Sequence, residues 1–182
     1  VRRADKIVGN LLDFTRARVG TGIPLKLART NLTALCEGIV LEARVYHPAK
    51  TIHFEAQGEW FCEVDGSRME QVFSNLLNNA IKHGSELEPV TVTEYSHAGC
   101  AVFKFHNEGP AIPSADFERI FDPMTRNSQK AISERGPEAG LGLGLFIARE
   151  IVTAHGGEIQ VESSQAEGTD FTVSIPSAKQ PS

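Results

Sequence analysis

Asp65-Gly66-Ser67-Arg68-Met69-Glu70-Gln71-Val72-Phe73-Ser74-Asn75-Leu76-Leu77-Asn78-Asn79-Ala80-Ile81-Lys82-His83-Gly84 orders the rest of the chain around it. Met69, Val72, Phe73, Leu76, Leu77, Ala80 and Ile81 return at three- and four-residue steps, which predicts a helix with one face in a core. Asp65 or Ser67 suits its start and Gly84 its end. On the other side Arg68, Gln71, Asn75, Asn79 and Lys82 fall on one narrow stripe. Asparagine is a poor helix former because its amide competes for backbone hydrogen bonds, so two of them one turn apart suggest a ligand on that face. An ordinary polar face is the competing reading. An amide oxygen suits a hard, partly hydrated cation such as Mg²⁺, and Lys82 can meet phosphate as a point charge.

Upstream, Leu32, Leu35, Cys36, Ile39, Val40 and Ala43 predict a second helix behind a cap at Asn31 or Thr33, stopped by His47-Pro48. Two strand-like runs, 51–55 and 60–64, flank Gln57-Gly58 and are expected to form a hairpin. The chain opens on an amphipathic pattern, Ala4, Ile7, Val8, Leu11, Leu12, Phe14 and Thr15, which ends near Gly20-Thr21-Gly22-Ile23-Pro24. A lone helix of this length is marginal in water, so its apolar face is expected to pack on something outside the chain, with its own domain as the alternative.

Downstream, 90–95 and 101–106 alternate as paired strands around Ala98-Gly99. Residues 107–144 hold nine glycines and prolines and are expected to be mainly loop, with a short helical stretch at 117–121. A helix over 143–155 ends at Gly156-Gly157, and strands over 158–162 and 169–175 precede a polar tail, 177–182. The glycines of Ala139-Gly140-Leu141-Gly142-Leu143-Gly144-Leu145 would let backbone N–H groups approach an anion at a helix start. A flexible linker is the plainer alternative, and the spacing is not that of a Walker loop. His106-Asn107-Glu108-Gly109-Pro110-Ala111-Ile112 ends one strand and Glu167-Gly168-Thr169-Asp170-Phe171 starts another, placing an amide and a hydroxyl where a base could be read.

At 182 residues and 41% hydrophobic content, the chain fits one main domain with a core of its own. The net charge of -5 argues against a nucleic-acid module. Cys36, Cys62 and Cys100 are too widely spaced for a zinc site and read as reduced, buried thiols of a cytosolic protein. With no apolar run of bilayer length and no leader-like start, the chain reads as cytoplasmic, with the cytoplasmic end of a larger membrane protein as the alternative.

In this order the stretches around Asn75-Asn79, Asn107-Gly109, Gly140-Gly144 and Gly168-Thr169 resemble the N, G1, G2 and G3 boxes of the histidine kinase catalytic domain. That family belongs to the ATPase superfamily shared with gyrase, the heat-shock ninety chaperones and the mismatch-repair ATPases. The resemblance covers about 32–176 and includes Phe117-Glu118-Arg119-Ile120-Phe121-Asp122-Pro123, similar to the F box. It implies an α/β two-layer sandwich (α+β), a mixed sheet covered by three helices, as the catalytic domain over 23–176. ATP would lie between the N-box helix and a lid over about 122–141. Residues 1–22 resemble the end of the dimerisation and phosphoacceptor hairpin, whose first helix would carry the phosphorylated histidine.

By position, the resemblance implies Asn79 as the Mg²⁺ ligand, Asn75 as its partner, and Lys82 at the phosphates. His83 would stack on adenine, Asn107 would face the adenine amine with Gly109 beside it, and Thr169 would lie nearby. Gly140, Leu141, Gly142, Leu143 and Gly144 would wrap the phosphates. Arg126 is a candidate γ-phosphate contact. Glu70 is a candidate for polarising the acceptor imidazole, against a salt-bridge role. The implied partners are a histidine-bearing helix of the same or a paired kinase, a response regulator and a second copy of the full-length protein, with no nucleic acid. Three residues depart from the family pattern: Asn107 for aspartate, Ala111 for glycine and Leu141 for threonine. They motivate an alternative, a noncatalytic nucleotide-binding regulatory module. Where hydrolysing relatives place a glutamate this chain has Asn75, a poor base, which favours phosphoryl transfer over hydrolysis. His47, His53, His83, His97, His106 and His155 lack the phosphoacceptor context and read as structural or surface residues.

Overall fold

The computed structural model of the chain describes residues 2–20, 22–123 and 142–177, without the side chains of 2–8 and 10. The elements are α1 (Arg2–Val19), β1 (Ala28–Asn31), α2 (Leu32–Tyr46), β2 (Ile52–Ala56), β3 (Phe61–Val64), α3 (Gly66–His83), β4 (Val90–His97), β5 (Cys100–Asn107), α4 (Gly144–Ala154), β6 (Glu158–Ser164) and β7 (Gly168–Pro176). Two short 3₁₀ turns, Ser114–Asp116 and Arg119–Phe121, stand where one helical stretch is expected.

The main sheet runs β2-β4-β5-β7-β6, parallel only at β2–β4, and α2, α3 and α4 pack on one face. The expected layers and three covering helices are therefore present. Alternation along the strands supplies the core: Val90 and Val92, Phe103 and Phe105, and Phe171 and Val173 all point under the helices. Phe73 of α3 meets Phe103 and Phe105 with ring centroids 4.6 and 5.9 Å apart. The β4–β5 hairpin turns on Ala98 and Gly99, both with positive φ, as a tight turn between twisted strands requires.

The expected hairpin of 51–55 with 60–64 does not form. β2 instead joins β4 through a crossover that contains α3, and β3 pairs antiparallel with β1 in a separate two-stranded sheet. Chain proximity loses because the apolar residues of β2 fit the main sheet: Ile52 lies beside Val90 and Phe54 beside Val92. The β1 residues Ala28-Arg29-Thr30-Asn31 show no alternation, and their strand state comes from pairing with β3.

Caps fix the helix starts. Asn31 accepts from the Ala34 N–H at 3.0 Å, and Asp65 accepts from Arg68 at 3.2 Å and from Lys26 at 2.8 Å. Burial pushes the Asp65 carboxyl up, but those N–H groups, the Ser67 hydroxyl and the Arg68 charge together hold it below its ordinary value. His155, at the end of α4, accepts from the Asp65 N–H at 3.0 Å and bonds the Ile151 carbonyl at 2.8 Å, which bears out its structural reading.

α1 docks on its own domain through one edge. Phe14 meets Phe146 edge-on at 5.7 Å, and buried Asp13 takes both guanidinium nitrogens of Arg68. Leu11 and Leu12 remain about half exposed, so the other edge is open. Cys36 and Cys62 are buried as expected, whereas Cys100 is half-buried. Alternation also buries a charged residue: Glu94 of β4 is fully buried in step with Val90 and Val92, and neither carboxylate oxygen has a hydrogen-bond partner among the described residues. Burial pushes its carboxyl up, an effect the neighbouring Thr33 hydroxyl only tempers.

Candidate nucleotide site

Three chain ends meet at one edge of the sheet. Asn107, the last residue of β5, pairs with Thr169 on β7 and Val90 on β4. Asn107 and Thr169 are both buried. The Thr169 hydroxyl lies 2.7 Å from that of Ser163, and the Asn107 amide nitrogen points at the Glu108 carbonyl at 3.5 Å, leaving its oxygen as an acceptor. The end of α3 is pressed against this pair. A Cβ on Gly84 would come within 2.6 Å of the Ala80 carbonyl oxygen, and one on Gly109 within 2.5 Å of that of His83. Gly168 has φ of +70° and lies so close that a Cβ would approach the Asn107 carbonyl oxygen to 2.5 Å. The strand ends and the helix end therefore approach backbone to backbone.

A second convergence lies further back on α3. The Asn75 amide donates to the Gly144 carbonyl at 3.0 Å, tying α3 to the start of α4. Among the described residues no side chain caps α4, so its first N–H groups and positive dipole end suit an anion. Asn79 is one turn along α3 from Asn75, half-buried, and its amide makes no hydrogen bond among the described residues. Lys82 and His83 are exposed on the next turn. Gly142 has φ of +71° and precedes α4 as the glycine-rich reading expects. Leu143 differs from that reading: its side chain is in the core, so only its backbone can face a ligand. Gly140, Leu141, Arg126 and most of the expected lid lie outside the described residues.

The stripe read on α3 divides in two. Arg68 is taken by Asp13, and it also bonds Gln71 at 3.1 Å, so neither belongs with the asparagines. Glu70 is exposed and lies about 13 Å up the helix axis from Asn79. It borders a groove of about 330 Å³ with Gly9, Asp13 and Ser74, beside α1, and makes no ion pair among the described residues.

A sequence profile described as histidine kinase-, DNA gyrase B- and HSP90-like ATPase matches residues 64–179, from the end of β3 through β7. The chain belongs to this family. The catalytic domain of the histidine kinase ThkA, solved free of nucleotide, superposes with a TM-score of 0.69 at 28% identity, over 83% of this chain and 95% of that one. Full-length ShkA in complex with AMPPNP shares the fold over 97% of this chain and 36% of its own, with a TM-score of 0.77 at 24% identity. In sequence, the domain is 32% identical to a bacteriophytochrome of Pseudomonas aeruginosa, over 88% of this chain and 22% of the relative. It is 31% identical to the signal transduction histidine-protein kinase AfsQ2 of Streptomyces coelicolor, over 99% of this chain and 32% of the relative. This histidine kinase-type ATPase domain thus spans roughly a fifth to a third of those two relatives.

Around the site, the polar pair His106 and Asp170 escaped the sequence reading. The signal was available, because these residues alternate with Asn107 and Thr169 and so must occupy the opposite face of the same two strands.

Proposed function

We propose that the domain binds Mg-ATP between α3 and the start of α4, and that the parent protein transfers the γ-phosphoryl group to a histidine on a helix outside 1–182. The observation that supports this reading is the pairing of the helix start at Gly144 with Asn75, one turn from an amide at Asn79 that has no partner among the described residues. A half-buried, unpaired amide oxygen suits Mg²⁺, which keeps most of its waters and takes few protein ligands. Bound there, the ion would neutralise phosphate charge. Asn79 would hold it, the α4 amides and Lys82 would position the phosphates, and Asn107 with Thr169 would read the adenine. Gly109 and Gly142 allow the close approach, His83 flanks the base, and Arg126, Gly140 and Leu141 complete the phosphate contacts.

Catalysis in this reading is positioning and charge neutralisation. Asn75 takes up no proton near neutral pH, so water at the γ-phosphate would find no base there. Glu70 faces the groove beside α1, which suits polarisation of an acceptor imidazole presented by the helix preceding α1. Residues 1–22 are then the end of the dimerisation hairpin and 23–176 the catalytic domain, in a cytoplasmic, homodimeric sensor that signals to a response regulator. Among the described residues no helix is long and apolar enough to cross a membrane.

The test uses the longer protein with its preceding helix. Mg-ATP should yield phosphohistidine on that helix, and the isolated chain should show negligible steady-state hydrolysis. Asn107 in place of aspartate favours a second reading, a regulatory module that binds nucleotide without transferring it. Tight ATP binding with no phosphohistidine would decide for that reading.

A further inference from the structure

We infer that His106 is a positioning residue for adenine recognition, holding the Asn107–Thr169 pair in register through Asp170 and Glu108. The inference rests on Asn107 as the adenine contact. His106 and Asp170 are Cα partners immediately behind Asn107 and Thr169 on β5 and β7, with side chains on the sheet face opposite α3. The His106 Nδ1 lies 2.7 Å from Asp170 Oδ1, and its Nε2 lies 3.6 Å from Glu108 Oε1.

Glu108 in turn is part of the site wall. Its backbone carbonyl accepts from the Ser85 N–H, just past α3, and faces the Asn107 amide nitrogen at 3.5 Å. Its carboxylate lies against Gly168, where a Cβ would meet Oε2 at 3.1 Å. The imidazole therefore bridges the first residues of β7 and the residue that follows Asn107. Strand ends fray unless side chains hold them, and here the ends carry the reading groups.

The His106 ring lies among charged groups. β7 presents Asp170, the chain after β5 presents Glu108, and β4 presents the uncharged Thr91 as its Cα partner. On β5 itself Lys104 takes the other Asp170 oxygen at 2.9 Å, and β6 sets Glu162 opposite Asp170. The ring thus stands between two carboxylates, one beside each nitrogen.

The decisive experiment is titration of the 182-residue chain with ATP in Mg²⁺ at neutral pH. Inorganic tripolyphosphate serves as the adenine-free probe. His106→Gln should bind ATP roughly three- to tenfold more weakly than wild type. Asp170→Asn should weaken ATP binding similarly. His106→Lys, which keeps a donor for Asp170, should restore part of that affinity. Tripolyphosphate binding should be unchanged in all three. If His106→Gln leaves ATP affinity intact, or weakens tripolyphosphate equally, the positioning role is overturned. Asn107→Ala separates this from the underlying reading: unchanged ATP affinity there overturns the adenine contact itself.

Discussion

The two halves of α3 carry the same kind of polar stripe and use it differently. At the N-terminal half the groups that face α1 and the cap are engaged, with Glu70 left in solvent: Asp65 caps, Arg68 grips Asp13 and bonds Gln71, and His155 closes the end. In the C-terminal half Asn75 reaches across to Gly144, while Asn79 has no amide partner among the described residues and Lys82 is exposed. Buried polar groups are normally satisfied, so the half that closes its own bonds is architecture and the other half is the one proposed to meet a ligand.

The comparison breaks most sharply at Arg68. Arg68→Ala leaves Asp13 buried without its cation and should cost the docking of α1 up to about 3 kcal/mol, the partly exposed arginine placing it at the low end for such pairs. Amide exchange should report it: protection over α1 is lost, while ATP affinity is unchanged. A fall in ATP affinity without undocking would merge the two halves.

Asp65→Ala removes the α3 cap and should lower stability by about 1–2 kcal/mol in a urea titration at neutral pH. The folded Asp65 carboxyl lies below its ordinary value of 3.8, so its contribution is present above that value and is lost as pH falls through the folded value beneath it. The gap between wild type and variant should therefore close only in acid.

Glu94 is the counter-example, a buried group that is neither closed nor aimed at the site. Its folded carboxyl lies above the ordinary 4.5, so the native state holds the extra proton, and stability is greatest below 4.5 and declines as pH rises through the folded value. Glu94→Gln should remove that slope and raise stability at neutral pH by on the order of 1 kcal/mol, seen as a higher urea midpoint. No change in slope would mean that Glu94 is ionised in place.

These contrasts also mark how far the sequence could be read. α3, its cap and the order of the boxes were legible because Met69 to Ile81 repeat at helical spacing and the glycines stand at strand ends. β1 was not, since Ala28 to Asn31 carries no alternation and owes its state to a partner 30-odd residues away. Arg68 looked like part of the ligand stripe because helical angle alone cannot reveal Asp13, brought in by a separate helix. Leu143 shows the same limit at finer scale, where a loop reading gave the backbone position but not that the side chain turns into the core. His106 and Asp170 were hidden by attention to one strand face at a time.

Calorimetric titration of the chain with ATP tests the central claim most directly, run with Mg²⁺ and with the metal chelated, on wild type and on Asn79→Ala. The account predicts Mg²⁺-dependent binding that falls on the order of 100-fold in the variant, with the thermal midpoint unchanged. Equal binding by both proteins, or none by wild type in excess Mg²⁺, would contradict it.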